Sequence, residues 1–246
     1  MPCPVNTYKS EIGNSECQSC PSNSQNINEG SDSLETCLCN AGFTFSNKYS
    51  TCMPCQRNTF KSEIGNYECQ SCPSNSQNIN EGSDSLETCL CNAGFTFSNK
   101  YSTCMPCQRN TFKSEIGNYE CQSCPSNSQN INEGSDSLET CLCNAGFTFS
   151  NKYSTCMPCQ RNTFKSEIGN YECQSCPSNS QNINEGSDSL ESCLCNTGFT
   201  FSYKNSTCIP CPINTYKSKI GNSECHSCPP NSQNINEGSD SIDDCI

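Results

Sequence analysis

Apolar side chains along this chain come singly or in pairs, interrupted every few residues by Asn, Ser, Gly and Pro at IGN, PSNS, NEGSDS and NAG. No apolar stripe recurs at the 3.6-residue spacing of an amphipathic helix. What remains is brief alternation of the strand type. Phe43-Thr44-Phe45 and Asn58-Thr59-Phe60 read as short strands joined by tight turns. The pattern predicts a mainly β and irregular fold. Two-residue spacing places Phe43 with Phe45, Phe95 with Phe97, and Phe147 with Phe149 on one side of their strands. These rings are expected in a small core, or in contacts with a neighbouring segment or a second chain.

The whole pattern returns every 52 residues. Met53–Cys104 and Met105–Cys156 are identical. Met157–Cys208 departs from them at Ser192, Thr197, Tyr203 and Asn205, and Met1–Cys52 at Pro4, Val5, Tyr8 and Ser15. A fifth copy runs from Ile209 to Ile246. The expected domains are therefore 1–52, 53–104, 105–156, 157–208 and the partial 209–246. Met1 aligns with Met53, Met105 and Met157, so the sequence reads as a window on a longer array. The absence of a signal peptide then carries little weight. Such units contact mainly their neighbours, giving a linear tandem array of 52-residue modules.

Composition says what holds each module together. Of 246 residues, 28 are cysteine, and the 32% hydrophobic content includes them. The rest cannot form a large hydrophobic core, and small units of that kind need cross-links, metals or assembly. The fold class is thus small and disulfide-rich. A net charge of −12 argues against nucleic acid and anionic membrane as partners. No run of 18 apolar residues offers a membrane span.

In the copy that begins at Cys55 the cysteines are 55, 69, 72, 89, 91 and 104, so long loops alternate with spacers of one or two residues. Six per copy is an even number, as bridging requires. Closing a loop of about 15 residues contributes roughly 3 kcal/mol in a chain-entropy view. A four-thiolate zinc site at Cys52, Cys55, Cys69 and Cys72 has acceptable spacing. It would strand Cys89 and Cys91, and leave Cys3, Cys17 and Cys20 without a fourth ligand. Redox catalysis by the Cys-x-x-Cys pairs needs a lowered thiol pKa, which turns in acidic surroundings do not supply. Disulfides are the reading adopted.

Cys91 with Cys104 is the expected third bridge, since Cys-x-Cys followed by Gly and an aromatic opens a small hairpin loop. The other four pair either in sequence or interlaced as Cys55–Cys72 and Cys69–Cys89, and spacing does not decide between them. Sequential pairing is favoured. It gives Cys3–Cys17, Cys20–Cys37 and Cys39–Cys52 in the first copy, and Cys55–Cys69, Cys72–Cys89 and Cys91–Cys104 in the second. The third has Cys107–Cys121, Cys124–Cys141 and Cys143–Cys156; the fourth has Cys159–Cys173, Cys176–Cys193 and Cys195–Cys208. Cys211–Cys225 and Cys228–Cys245 complete the fifth.

The run CMPCQRNTFKSEIGNYECQSCPSNSQNINEGSDSLETCLCNAGFTF resembles the cysteine-rich module beside the EGF-like region of ephrin receptors. Phe60-Lys61, Cys69, Cys72-Pro73, Asn75-Ser76, Cys89, Cys91 and Gly94-Phe95 carry the likeness, in every copy. Related modules occur in tumour-necrosis-factor-receptor-like ectodomains. The resemblance implies an extracellular, β-rich, disulfide-bonded spacer. Receptor signalling does not carry over, because no kinase, ligand-binding or membrane segment is in view.

Little here points to catalysis, and no enzyme is expected. The single histidine, His226, stands where the other copies have Gln18, Gln70, Gln122 and Gln174, and reads as a surface variant. Glu81, Asp84 and Glu87 with Asn78 and Asn80 read as a solvated turn, with weak calcium binding as the other use. Their spacing does not match the 12-residue calcium loop. No other cofactor is implied. Asn205-Ser206-Thr207 is the one N-x-S/T sequon, a candidate N-glycan site in a secreted protein. The function expected is an extracellular structural protein whose repeats self-associate into fibres, as a rod, filament shaft, surface hair, matrix fibre or coat. The alternative is the stalk of a cell-surface receptor, adhesin or repetitive antigen, with other surface or matrix proteins and glycans as partners.

Overall fold

The computed structural model describes residues 1–246, and every regular element in it is short. Strands run two to four residues, and the helical turns are three-residue 3-10 segments such as Leu86–Thr88. Backbone conformation explains the brevity. Asn58 at φ 64°, Asn75 at φ 62° and Ser102 at φ 50° turn the chain in the left-handed region. Asn tolerates that region better than most residues with a Cβ.

The second copy serves for all. Thr59–Phe60 pairs antiparallel with Gln70–Ser71, Ser76–Gln77 with Leu90–Cys91, and Phe95–Ser98 with Thr103–Pro106. Phe43–Ser46 pairs likewise with Thr51–Pro54, so the Phe-Thr-Phe alternation does form a hairpin strand. Asn58 departs from the sequence expectation, because its left-handed backbone belongs to the preceding turn. Its N–H is held by the side-chain oxygen of Asn78 at 2.7 Å.

Fourteen disulfides join the cysteines in the order in which they occur. Cys55 meets Cys69, Cys72 meets Cys89 and Cys91 meets Cys104, and no cysteine is free. These three Cα–Cα distances are 5.7, 5.7 and 5.6 Å, ordinary for a bridge. The same pairing runs through the other copies. Each full copy thus has a first, a second and a third loop, each with its own two-stranded sheet at or beside the bridge.

Sulfur takes the place of an aliphatic core. Apart from Phe60, Phe112 and Phe164, the buried apolar residues are all cysteines. Polar groups fill the remaining interior. Asn78 is buried, and besides holding the N–H of Asn58 it donates to the Thr59 carbonyl at 2.9 Å. It organises the first loop as an aliphatic side chain of its size would not, since it satisfies backbone groups that the two-stranded sheet leaves unpaired.

The chain divides into two compact units, residues 1–122 with 132–137, and residues 123–131 with 138–246. The first contains the joints from copy one to two and from two to three. The second contains those from three to four and from four to five.

Candidate functional site

Hydrogen bonds concentrate at the joint where one repeat's third loop receives the start of the next. In the first unit Lys61 follows the strand Thr59–Phe60 and sits between two backbone partners. Its N–H donates to the Ser83 carbonyl at 3.1 Å, and its carbonyl accepts from Gly42 N–H at 2.8 Å. Its side chain, 1% exposed, turns back into the preceding copy. There the ammonium donates to the carbonyl of Cys39 at 3.2 Å, and it donates also to that of Gly65 in its own copy.

The next joint repeats this more completely. Lys113 donates to the carbonyls of Cys91 and Asn92, both at 3.2 Å, and of Gly117 at 2.6 Å. An ammonium has three N–H donors and no acceptor, so all three are engaged. The ring of Tyr119 lies 4.9 Å from the same nitrogen, a cation–π distance. Burial lowers the pKa of Lys61 and Lys113 from the ordinary lysine value.

In the second unit Lys165 reaches the carbonyls of Cys143, Asn144, Phe147 and Gly169. Lys217 reaches those of Cys195, Asn196, Phe199 and Gly221. Both are buried, and burial lowers both pKa values. Lys9, which has no preceding third loop in this sequence, is only half-buried, and its ammonium donates to the Gly13 carbonyl alone.

An asparagine closes each joint from the other side. Asn66 accepts the Cys39 N–H at 3.0 Å and donates to the carbonyls of Glu35 and Cys37, both at 3.2 Å. Asn118, Asn170 and Asn222 repeat the clamp. A glycine permits the close approach. Gly42 has φ 80°, and a Cβ there would overlap the carbonyl oxygen of Gly82 in the next copy. Its own carbonyl accepts from Cys55 N–H at 2.7 Å. The hydroxyl of Thr44 adds a third side chain, donating to the Tyr67 carbonyl at 3.2 Å, so the joint is a polar interlock of backbone groups with lysine, asparagine and threonine.

The sequence marked Lys61 and Gly94, the counterpart of Gly42, only as carriers of the family likeness, and gave no site role to Lys61, Asn66 or Gly42. A lysine reads as solvated surface, and IGN reads as a turn. The available signal was internal: Lys and Ile-Gly-Asn stand at the same place in all five copies, while one of the two residues between them and the residue after them vary.

The residues that sequence did single out lie elsewhere. All 28 cysteines are bridged, so none is free to hold zinc. Glu81, Asp84 and Glu87 are exposed, Asn78 is committed to backbone, and no group of three acids, His or Cys converges as a metal centre. His226 is exposed in a strand opposite Tyr216. Asn205 is exposed in the turn of the fourth copy's third loop. The paired phenylalanines are half-buried; Phe97 lines a hollow of about 640 Å³ with Asn99, Ser102, Leu86, Glu87 and Asn118. No helix is long and apolar enough to cross a membrane.

Short hairpins on sequential bridges, repeated and interlocked by buried polar side chains, define a tandem array of small disulfide-rich modules. The model for the tyrosine-protein kinase ephrin type A/B receptor-like family matches residues 1–37, 42–89, 94–141, 146–193 and 198–245, and the chain belongs to that ephrin-receptor-like family. Cysteine repeat modular protein A of Toxoplasma gondii is 29% identical over 210 residues, covering 78% of this chain and 7% of that protein. Mouse sushi, von Willebrand factor type A, EGF and pentraxin domain-containing protein 1 is 29% identical over 176 residues, covering 70% and 5%. Mouse signal peptide, CUB and EGF-like domain-containing protein 2 is 28% identical over 177 residues, covering 68% and 18%. The chain thus spans a small part of each relative's length. None of these relatives is named as an enzyme. With its fourteen bridges, this is an extracellular, disulfide-rich repeat protein.

Proposed function

We propose that these modules form the shaft of an extracellular rod or filament, and that the lysine–asparagine joint fixes the angle from each module to the next. The observation that carries this reading is the recurrence of one interlock at four joints, the lysine donating each time to the carbonyls of the corresponding cysteine and glycine. Identical units joined identically place any surface patch at a constant spacing. Contacts between chains then add along the array, which favours self-association into fibres. The half-buried Phe95 and Phe97, with their counterparts Phe43, Phe45, Phe147 and Phe149, contribute apolar surface to such contacts.

A second reading has its own support. Relatives whose names carry sushi, von Willebrand factor type A or CUB domains are far longer than their matching segments. By that measure the array is a stalk holding recognition domains that bind other surface or matrix proteins or glycans. Electron microscopy of the protein isolated from its source without reduction separates the two. Filaments with an axial repeat equal to a whole number of modules support the shaft. Separate rods, each ending in a globular head or at a membrane, replace it with the stalk.

A further inference from the structure

The third loop of the fourth copy differs from the other three at its tip. In the first three, Tyr49, Tyr101 and Tyr153 occupy the turn, and Lys48, Lys100 and Lys152 place their Nζ 5.0, 4.9 and 4.9 Å from the ring centres. In the fourth, Asn205 takes the tyrosine's place. The aromatic has moved to Tyr203, which packs edge-on to Phe201 with ring centres 5.1 Å apart.

This rearrangement clears the tip. Residues 203–206 are exposed, and Asn205 uses only its backbone N–H, which donates to the Ser202 carbonyl at 3.3 Å. No intramolecular hydrogen bond engages its carboxamide. Ser206 turns the chain at φ 51°, and Thr207 begins the returning strand opposite Ser202. An exposed Asn-Ser-Thr in a surface turn is the acceptor arrangement for N-linked sugar.

We propose that Asn205 carries an N-linked glycan, making the fourth repeat chemically distinct from its near-identical neighbours. The donor is an oligosaccharide linked through pyrophosphate to a lipid. The carboxamide nitrogen of Asn205 bonds to the anomeric carbon, the sugar's bond to the pyrophosphate oxygen breaks, the lipid pyrophosphate leaves, and the amide gives up one proton. No electron is exchanged. The proposal rests on passage through the secretory route, where fourteen bridges form and persist. It does not depend on whether the array is a shaft or a stalk.

The test is mass spectrometry of the full chain secreted unreduced from a eukaryotic host, before and after treatment with a glycan-releasing amidase. The expected result is a glycan on Asn205, replaced by aspartate after release. It should be lost in Asn205→Gln and in Thr207→Ala, and retained in Thr207→Ser, which keeps the hydroxyl with little change to the hairpin. An unmodified Asn205 in the secreted chain overturns the proposal. A thiol count on that sample tells which part failed: full bridging condemns the glycan alone, and free thiols condemn the secretory premise with it.

Discussion

The ammonium of Lys113 lies 3.2 Å from the carbonyl oxygen of Cys91, across the boundary between two repeats, in a side chain 1% exposed to solvent. Removing a cation from water is costly unless hydrogen bonds take the place of its hydration. Here those bonds come from Cys91 and Asn92 of one copy and Gly117 of the next. The lysine is satisfied only when the two copies are docked. It makes the joint close in one geometry, where an apolar contact would tolerate sliding.

Lys113→Met keeps the aliphatic stem and removes the three donors. Buried carbonyls left without partners should cost about 1–3 kcal/mol. The loss belongs to the joint, because the bridges hold each loop on their own. Native-state hydrogen exchange should show faster opening of Gly94 and Cys107 N–H, whose acceptors are the Lys113 and Gly94 carbonyls. Lys9→Met, at a half-buried lysine, should change stability by about 0.5 kcal/mol or less. Equal effects at the two positions would remove the interlock from the account.

The same burial gives a pH signature. Lys217 has its pKa lowered by burial, so between that pKa and the ordinary 10.5 the folded chain binds fewer protons than the unfolded one. Its joint is penalised fully below the lowered pKa and gains stability as pH rises through that window. Tyr67, Tyr119 and Tyr171 act in the opposite sense. Burial first, and then the carboxylates of Glu63, Glu115 and Glu167, raise their pKa values above 10.0. Their contribution is intact below 10.0 and lost as pH rises through the raised values. The fifth copy has Ser223 at the tyrosine position, which isolates the lysine. A carbon-13 titration of the Lys217 ε-carbon, assigned with Lys217→Arg, should give a midpoint below 10.5. A midpoint at or above that value would show the ammonium to be solvated.

The module was legible in the sequence and the joint was not, for one physical reason. A disulfide loop of about 15 residues is local, and its short strands announce themselves by period-2 pairs such as Phe95 and Phe97. Lys61 and Asn66 act on Cys39 and Cys37, more than twenty residues back and in another copy. No local periodicity reports such a contact, and a lone lysine suggests water. Asn58 failed as a strand residue because of its left-handed backbone, which depends on Asn78 in the second loop. The internal repeat held the missing clue. Lys217 and Gly221-Asn222 persist in the fifth copy although Glu63 has become Lys219 and Tyr67 has become Ser223.

Two glycines separate conformational strain from close approach. Gly94 and Gly82 have φ 80° and 74°, so alanine at either pays the left-handed penalty, roughly 1–2 kcal/mol. At Gly82 a Cβ would meet Pro54 at an ordinary 3.6 Å, whereas at Gly94 it would overlap the carbonyl oxygen of Gly134. Gly94→Ala should therefore lower the denaturant midpoint further than Gly82→Ala, and open the joint at Lys113 as well. Matching midpoints would mean that the two copies yield at that contact without resistance.

The third bridge should stabilise more than its own loop. Removing Cys91–Cys104 as a double serine variant releases a loop with a sequence separation of 13, worth about 3 kcal/mol on chain entropy. It also frees the segment that supplies Lys113 with the carbonyls of Cys91 and Asn92, and Asn118 with the Cys91 N–H. Protection should fall in residues 111–118 of the next copy as well as in 91–104. The first bridge, Cys55–Cys69, supplies none of these groups, so its removal should leave that joint closed. Non-reducing peptide mapping of the unaltered chain is the necessary companion. It should yield Cys91–Cys104 peptides together with Cys55–Cys69 and Cys72–Cys89, and an interlaced Cys55–Cys72 peptide would require the loops, and with them the route from bridge to joint, to be redrawn.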